Sequence, residues 1–217
     1  MAGTILTPTA IWKNFIVPND FSAQVLEQSE RGKFTVQSLY IQGRNVKDGA
    51  VKIYCELTTD SSIKHAPAIL LLQDFETQCD YQLITDLVKH GYSVLSVDVA
   101  GKKEHKDNFT QYPESISYAN YEQVKDNLFS VEQDVVNTCW YEWTAVARTA
   151  LAYLKSLPNV SKVGGFAIGQ VATVLWQVAG TDLNLDSAVF AFNAGWDKEY
   201  GGLLYFIDAL GLPPESY

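Results

Sequence analysis

The sequence predicts a three-layer α/β domain: a mostly parallel sheet with antiparallel strands at its N-terminal side and helices on both faces. Three observations predict it. Residues 33–42 and 50–59 alternate apolar and polar side chains at period two, as strands with one buried face do. Residues 68–72, 93–99, 162–167 and 187–192 are short, nearly continuous apolar runs, the pattern of parallel strands covered on both faces. Between these runs lie segments with apolar residues at helical spacing, so strand and helix alternate along the chain.

In chain order, residues 1–32 read as an N-terminal extension and 33–217 as a single domain. The first two strands form an antiparallel pair joined across residues 43–49. After the strand at 68–72, residues 81–90 place Leu83, Ile84, Leu87 and Val88 on one helical face and stop at Gly91, completing a βαβ unit with the strand at 93–99. Residues 101–137 are less regular: Phe109, Tyr112, Tyr118, Tyr121 and Phe129 are scattered among acids and amides. Because this stretch follows a strand at its carboxyl end, it either lines a ligand crevice or packs its aromatics over the core or against another subunit. A helix over 140–157 is ended by Pro158 and feeds the strand at 162–167; a further helix spans 169–179, and a last one spans 198–211.

Composition narrows the functional classes. The chain has 217 residues, 47% of them hydrophobic and 19% charged, enough for one domain with a substantial core. A net charge of −9 and a pI near 4.7 oppose binding to nucleic acid or to anionic membranes. The one basic cluster, Lys102, Lys103 and Lys106, is interrupted by Glu104 and Asp107 and reads as a solvated loop. Cys55, Cys79 and Cys139 are odd in number and far apart, which suggests neither a zinc site nor a disulfide framework. The N-terminus lacks a basic region followed by a long apolar run, and the longest aliphatic stretch, 68–72, is too short for a bilayer. The expectation is a cytoplasmic protein without metal or cofactor.

Three local patterns share one family resemblance. Ala68-Ile69-Leu70-Leu71-Leu72-Gln73-Asp74-Phe75 is similar to a strand and turn that end in His-Gly, and residues 91–101 match Gly-Tyr-x-Val-(apolar)-x-x-Asp-x-x-Gly. Gly165-Phe166-Ala167-Ile168-Gly169 resembles the nucleophile elbow, a Gly-x-nucleophile-x-Gly turn from strand into helix. In this order and spacing they resemble the α/β-hydrolase superfamily, in the branch of acetyl xylan esterases, dienelactone hydrolases and prolyl oligopeptidase catalytic domains.

The resemblance implies a Ser-His-Asp mechanism and also shows where this chain departs from it. Such a mechanism needs a nucleophile, a histidine, a carboxylate and two oxyanion-binding N–H groups, in the chain order nucleophile, acid, histidine. Ala167 stands at the nucleophile position and has no reactive atom. His65, His90 and His105 all precede it, and the Gln73-Asp74 pair replaces His-Gly where the oxyanion forms. Relative to the family, the part carrying the acid and histidine is missing. If the sheet stops there, the strand at 187–192 is an apolar edge to be covered either by residues 198–211 or by a second copy of the chain. The positions expected to face a pocket are Gln73, Asp74, Phe75, Ala167 and Ile168.

Two functions follow from this reading. One is a non-catalytic protein that keeps the fold to bind a small molecule or carbohydrate, or to assemble with another chain. The other is a carboxylester or acetyl-carbohydrate esterase with a non-standard nucleophile or a site completed by another chain.

Overall fold

The structure is a computed structural model that describes residues 8–76, 79–104, 106–128 and 134–191. Seven strands make one sheet, ordered β1-β2-β3-β5-β4-β6-β7. β1 (Gln24–Arg31), β2 (Phe34–Val46) and β3 (Gly49–Asp60) form an antiparallel meander, and β3 joins β5 (Ser93–Val97) antiparallel. β4 (Ala66–Leu72), β5, β6 (Val160–Ile168) and β7 (Ser187–Ala191) run parallel.

The predicted alternation produces the two-sided ribbon. Leu39 and Ile41 of β2 and Ile53, Cys55 and Leu57 of β3 enter the core, while Tyr40 pairs with Tyr54 on the opposite face. The link between these strands is tighter than predicted. β2 runs through Gly43 to Val46, so that only Lys47 and Asp48 lie between the two strands, with a shift of register between Gln42 and Asn45. Every residue of β5 is buried, as its continuous apolar run requires.

Helices cover both faces. α2 (Tyr81–Lys89) starts at Asp80, whose carboxylate accepts the Leu83 N–H at 2.9 Å, and it lays Ile84 and Val88 on Leu71 and Val94. α4 (Cys139–Ser156) is capped by Thr138 and buries Trp143, Val146, Leu151 and Leu154 on the other face. α5 (Ala172–Thr181) adds Val174, Leu175 and Val178 to the same core. Each such side chain contributes roughly 1.5–3 kcal/mol by leaving water. The short α1 (Pro8–Trp12) docks by stacking Trp12 on Tyr141, with ring centroids 4.5 Å apart.

Two readings of the sequence change. Residues 24–31, assigned to an extension, are the edge strand of the sheet itself. Its sequence carries only Val25 and Leu26 as apolar residues, both exposed, so it has no alternation to detect. The irregular stretch after β5 contains a 3-10 turn (Glu114–Ala119) and α3 (Tyr121–Val124). The helix predicted over 198–211, along with Phe129, His105 and Phe192, lies outside the described residues. β7 is the last described strand, paired along one side with β6. Among the described residues, no helix is long and apolar enough to cross a membrane.

Candidate functional site

The carboxyl ends of β5, β4 and β6 lie side by side, and the chain's candidate chemistry collects there. β6 stays extended through Ile168 (φ −123°, ψ 138°), turns at Gly169 (φ +76°) and enters a 3-10 turn (Gly169–Val171) that leads into α5. The single left-handed residue of this strand-to-helix turn is therefore Gly169. Ala167 is an ordinary strand residue, fully buried and paired with Leu72 and Phe190. The placement of the turn's apex at Ala167 is thus corrected by two residues. The two flanking glycines also serve different purposes. A Cβ at Gly165 would fall 2.5 Å from Leu175 Cδ1, so this glycine lets α5 pack close to the sheet, whereas Gly169 supplies the backbone angle.

The turn after β4 separates its residues. Gln73 is buried: its side-chain amide donates to Ser96 Oγ at 3.0 Å, and its oxygen accepts from Lys106 Nζ at 3.0 Å. Asp74 is half-buried and directs its carboxylate at the elbow; a Cβ added at Gly169 would lie 3.3 Å from Asp74 Oδ1. Phe75 is fully buried, stacked on Tyr121 (centroids 4.8 Å apart, planes 2° apart) and packed on Trp143 at 4.4 Å. Of the five positions expected at a pocket, Asp74 and the half-buried Ile168 flank the turn at Gly169. The Gln73 side chain is engaged by Ser96 and Lys106, Ala167 belongs to the core, and Phe75 adds only a wall to the crevice described below.

The aromatics of the stretch after β5 mostly pack. The Tyr112 hydroxyl donates to the Val99 carbonyl at 2.7 Å, and the Tyr121 hydroxyl lies 2.8 Å from Glu76 Oε1 and 3.5 Å from Gln170 Oε1. Burial and the neighbouring Glu76 raise the Tyr121 hydroxyl well above the ordinary tyrosine range. Asp98 is buried at the end of β5, accepting the Thr110 N–H at 2.7 Å and facing Lys106 Nζ at 3.5 Å.

The basic cluster is not the solvated loop expected from its sequence. Lys102 is exposed, but Lys103 Nζ donates to the Asp74 carbonyl at 3.2 Å, and Lys106 is drawn in by Gln73 and Asp98. Burial lowers the Lys103 amine below the usual lysine range, and the nearby Lys106 charge adds to this against the opposing fields of Asp98, Asp74 and Glu122. These two lysines are the site residues that sequence reasoning missed.

Neither described histidine approaches the turn. His65 is exposed just before β4, at the amino end of that strand, and His90 caps α2 with Nδ1 2.7 Å from the Asp86 carbonyl. The three cysteines are free. Cys79 sits 3.2 Å from Ser96 Oγ on the α2 side of the sheet, and Cys139, pushed up by burial to about 12, is far from a thiolate. Among the described residues, no cluster of His, Cys, Asp or Glu is arranged to hold a metal ion.

A crevice of about 370 Å³ opens at the ends of β4 and β5. Phe75 and Glu76 form one wall, Lys102, Lys103 and Glu104 a second, and Asn120, Glu122 and Gln123 the third. Its size suits a small organic ligand, and its position outside the carboxyl ends of parallel strands is where ligands bind in open α/β sheets.

No protein-family model matches the sequence, and no curated protein resembles it. Solved structures do. Acetyl xylan esterase 1 from a Thermoanaerobacterium species superposes with a TM-score of 0.60 at 13% identity, covering 91% of this chain and 63% of its own. An acetyl xylan esterase from a Paenibacillus species gives 0.56 at 14%, covering 83% and 55%. A dienelactone hydrolase-like promiscuous phosphotriesterase from metagenomic libraries gives 0.50 at 18%, covering 75% and 61%. The fold is accordingly the α/β-hydrolase fold, and the chain spans between 55% and 63% of the length of these three structures.

Proposed function

We propose that this chain uses the α/β-hydrolase fold for binding rather than for Ser-His-Asp catalysis, and that its ligand is a small molecule held in the crevice at the ends of β4 and β5. One observation carries the reading. The sharp strand-to-helix turn, which in this fold displays the nucleophile, has Gly169 at its apex and so displays no side chain. In this register Ala167 and Val171 take the flanking glycine positions, and Gly169 replaces Ala167 as the degenerate nucleophile position. Asp74 supports the same reading. A carboxylate beside the turn opposes the negative charge that an acyl-transfer oxyanion develops.

A second reading has one observation in its favour. The chain spans little more than half of structures whose names include acetyl xylan esterase, so further polypeptide supplying an acid, a histidine or another nucleophile would complete an esterase-type site. The purified chain tested with p-nitrophenyl acetate, and with serine- and cysteine-directed activity probes, separates the two. The expected result is no turnover above buffer and no serine or cysteine of the chain labelled by the activity probes. Turnover abolished by a substitution at Gly169 or Asp74 would overturn the first reading.

A further inference from the structure

We propose that Lys103 is a carbonyl-capturing amine, which holds a small aldehyde or ketone in the crevice as a Schiff base. This rests on the crevice being the ligand site.

The position of Lys103 sets it apart from the other lysines. Its Nζ is fixed 3.2 Å from the Asp74 carbonyl, while its side chain forms part of the crevice wall. Lys102, its chain neighbour on the same wall, is exposed. Lys106, held by Gln73 and Asp98, places a second cation nearby. Partial desolvation and a neighbouring cation both favour the neutral, nucleophilic form of a lysine amine over its ammonium. Burial, aided by the Lys106 charge, lowers the Lys103 amine, with Asp98, Asp74 and Glu122 pulling the other way.

The crevice also selects the ligand class. Glu76, Glu104 and Glu122 line it and disfavour an anion, even with two lysines present. A neutral carbonyl compound meets no such repulsion, and the carboxylates provide proton carriers. The amine lone pair adds to the carbonyl carbon as the C=O π pair moves to oxygen, and one proton passes from the nitrogen to that oxygen, giving a neutral carbinolamine. A proton from solvent, relayed by a wall carboxylate, then goes to the hydroxyl, water leaves, and the nitrogen retains one hydrogen in the protonated imine. Atoms and electrons balance, and no oxidant is needed.

The test is site-resolved labelling of the intact chain with propanal and cyanoborohydride at neutral pH, read by peptide mass spectrometry. Lys103 is expected to be alkylated several-fold faster than the exposed Lys102 and Lys64. Lys103→Arg, which keeps the cation and its hydrogen bond to Asp74, removes that adduct and leaves the others unchanged. Labelling in proportion to exposure, with Lys102 and Lys64 ahead of Lys103, would overturn the proposal, and because this is read in the unsubstituted protein it does not depend on how a variant folds. Trapping reads the lysine and ester turnover reads the Gly169 turn, so failure of one leaves the other standing.

Discussion

The chain beyond β5 and the chain beyond β6 leave the sheet one strand apart, separated by β4, yet they are built in opposite ways. Beyond β5, Asp98 is buried and tied to Thr110, Tyr112 is bonded to the strand end, and Tyr121 lies flat on Phe75 against Trp143. Beyond β6, the backbone makes its turn with one left-handed glycine, and the next residue, Gln170, is exposed. The first exit is fixed by side chains and the second by backbone geometry. A turn can therefore keep its shape after its chemistry has gone, because the shape needs only a residue that tolerates positive φ and a helix that packs behind it.

The largest effect is expected where side chains hold the structure. Phe75→Ala removes a fully buried ring from the stack with Tyr121 and Trp143 and should cost about 3–5 kcal/mol, including the cavity left behind. A urea midpoint close to that of the unsubstituted chain would show that the aromatic cluster does not carry the first exit.

Intermediate effects distinguish the two positions at the second exit. Ala167→Ser puts a hydroxyl into the core between the sheet and α5 and should destabilise by about 1–3 kcal/mol. Gly169→Ser forces a side chain into the left-handed region at about 1–2 kcal/mol and points it at Asp74. Neither variant is expected to hydrolyse p-nitrophenyl acetate, since each lacks a general base poised to take the serine proton. Burst kinetics in Gly169→Ser, but not in Ala167→Ser, would confirm the corrected register of the turn while refuting its inertness.

That correction shows what the sequence could convey. The strands of the central sheet are legible because burial on one or both faces leaves a period in the letters, as in β3 and β5. β1 is not, since an exposed edge strand makes no demand for apolar alternation. The elbow was legible as a turn but misread by two residues. Gly165 is required by contact with Leu175 and Gly169 by its φ, and a glycine's letter does not say which constraint placed it there. Lys103 and Lys106 were read as solvated because the groups that draw them in, the Asp74 carbonyl, the Gln73 side chain and Asp98, belong to other strand ends. Charge pattern along the chain carries no trace of such tertiary partners.

The smallest expected effect sharpens the contrast through pH. The Tyr121 hydroxyl, raised by burial and by Glu76, favours the neutral phenol in the folded state. The stability linked to it is fully present below the ordinary tyrosine value of 10.0 and is lost as pH rises from there toward the higher folded value. Tyr121→Phe keeps the stack on Phe75 but gives up the hydrogen bond to Glu76, a loss of about 1 kcal/mol at neutral pH. Other tyrosines, Tyr54 and Tyr118 among them, are raised as well, so the variant still weakens in alkali. The informative quantity is the difference between the two proteins in urea midpoint, which should shrink as pH climbs past 10. A difference that stays constant with pH would mean that the hydroxyl contributes only through packing, and that the polar tie from Tyr121 across to Glu76 does not hold the first exit closed.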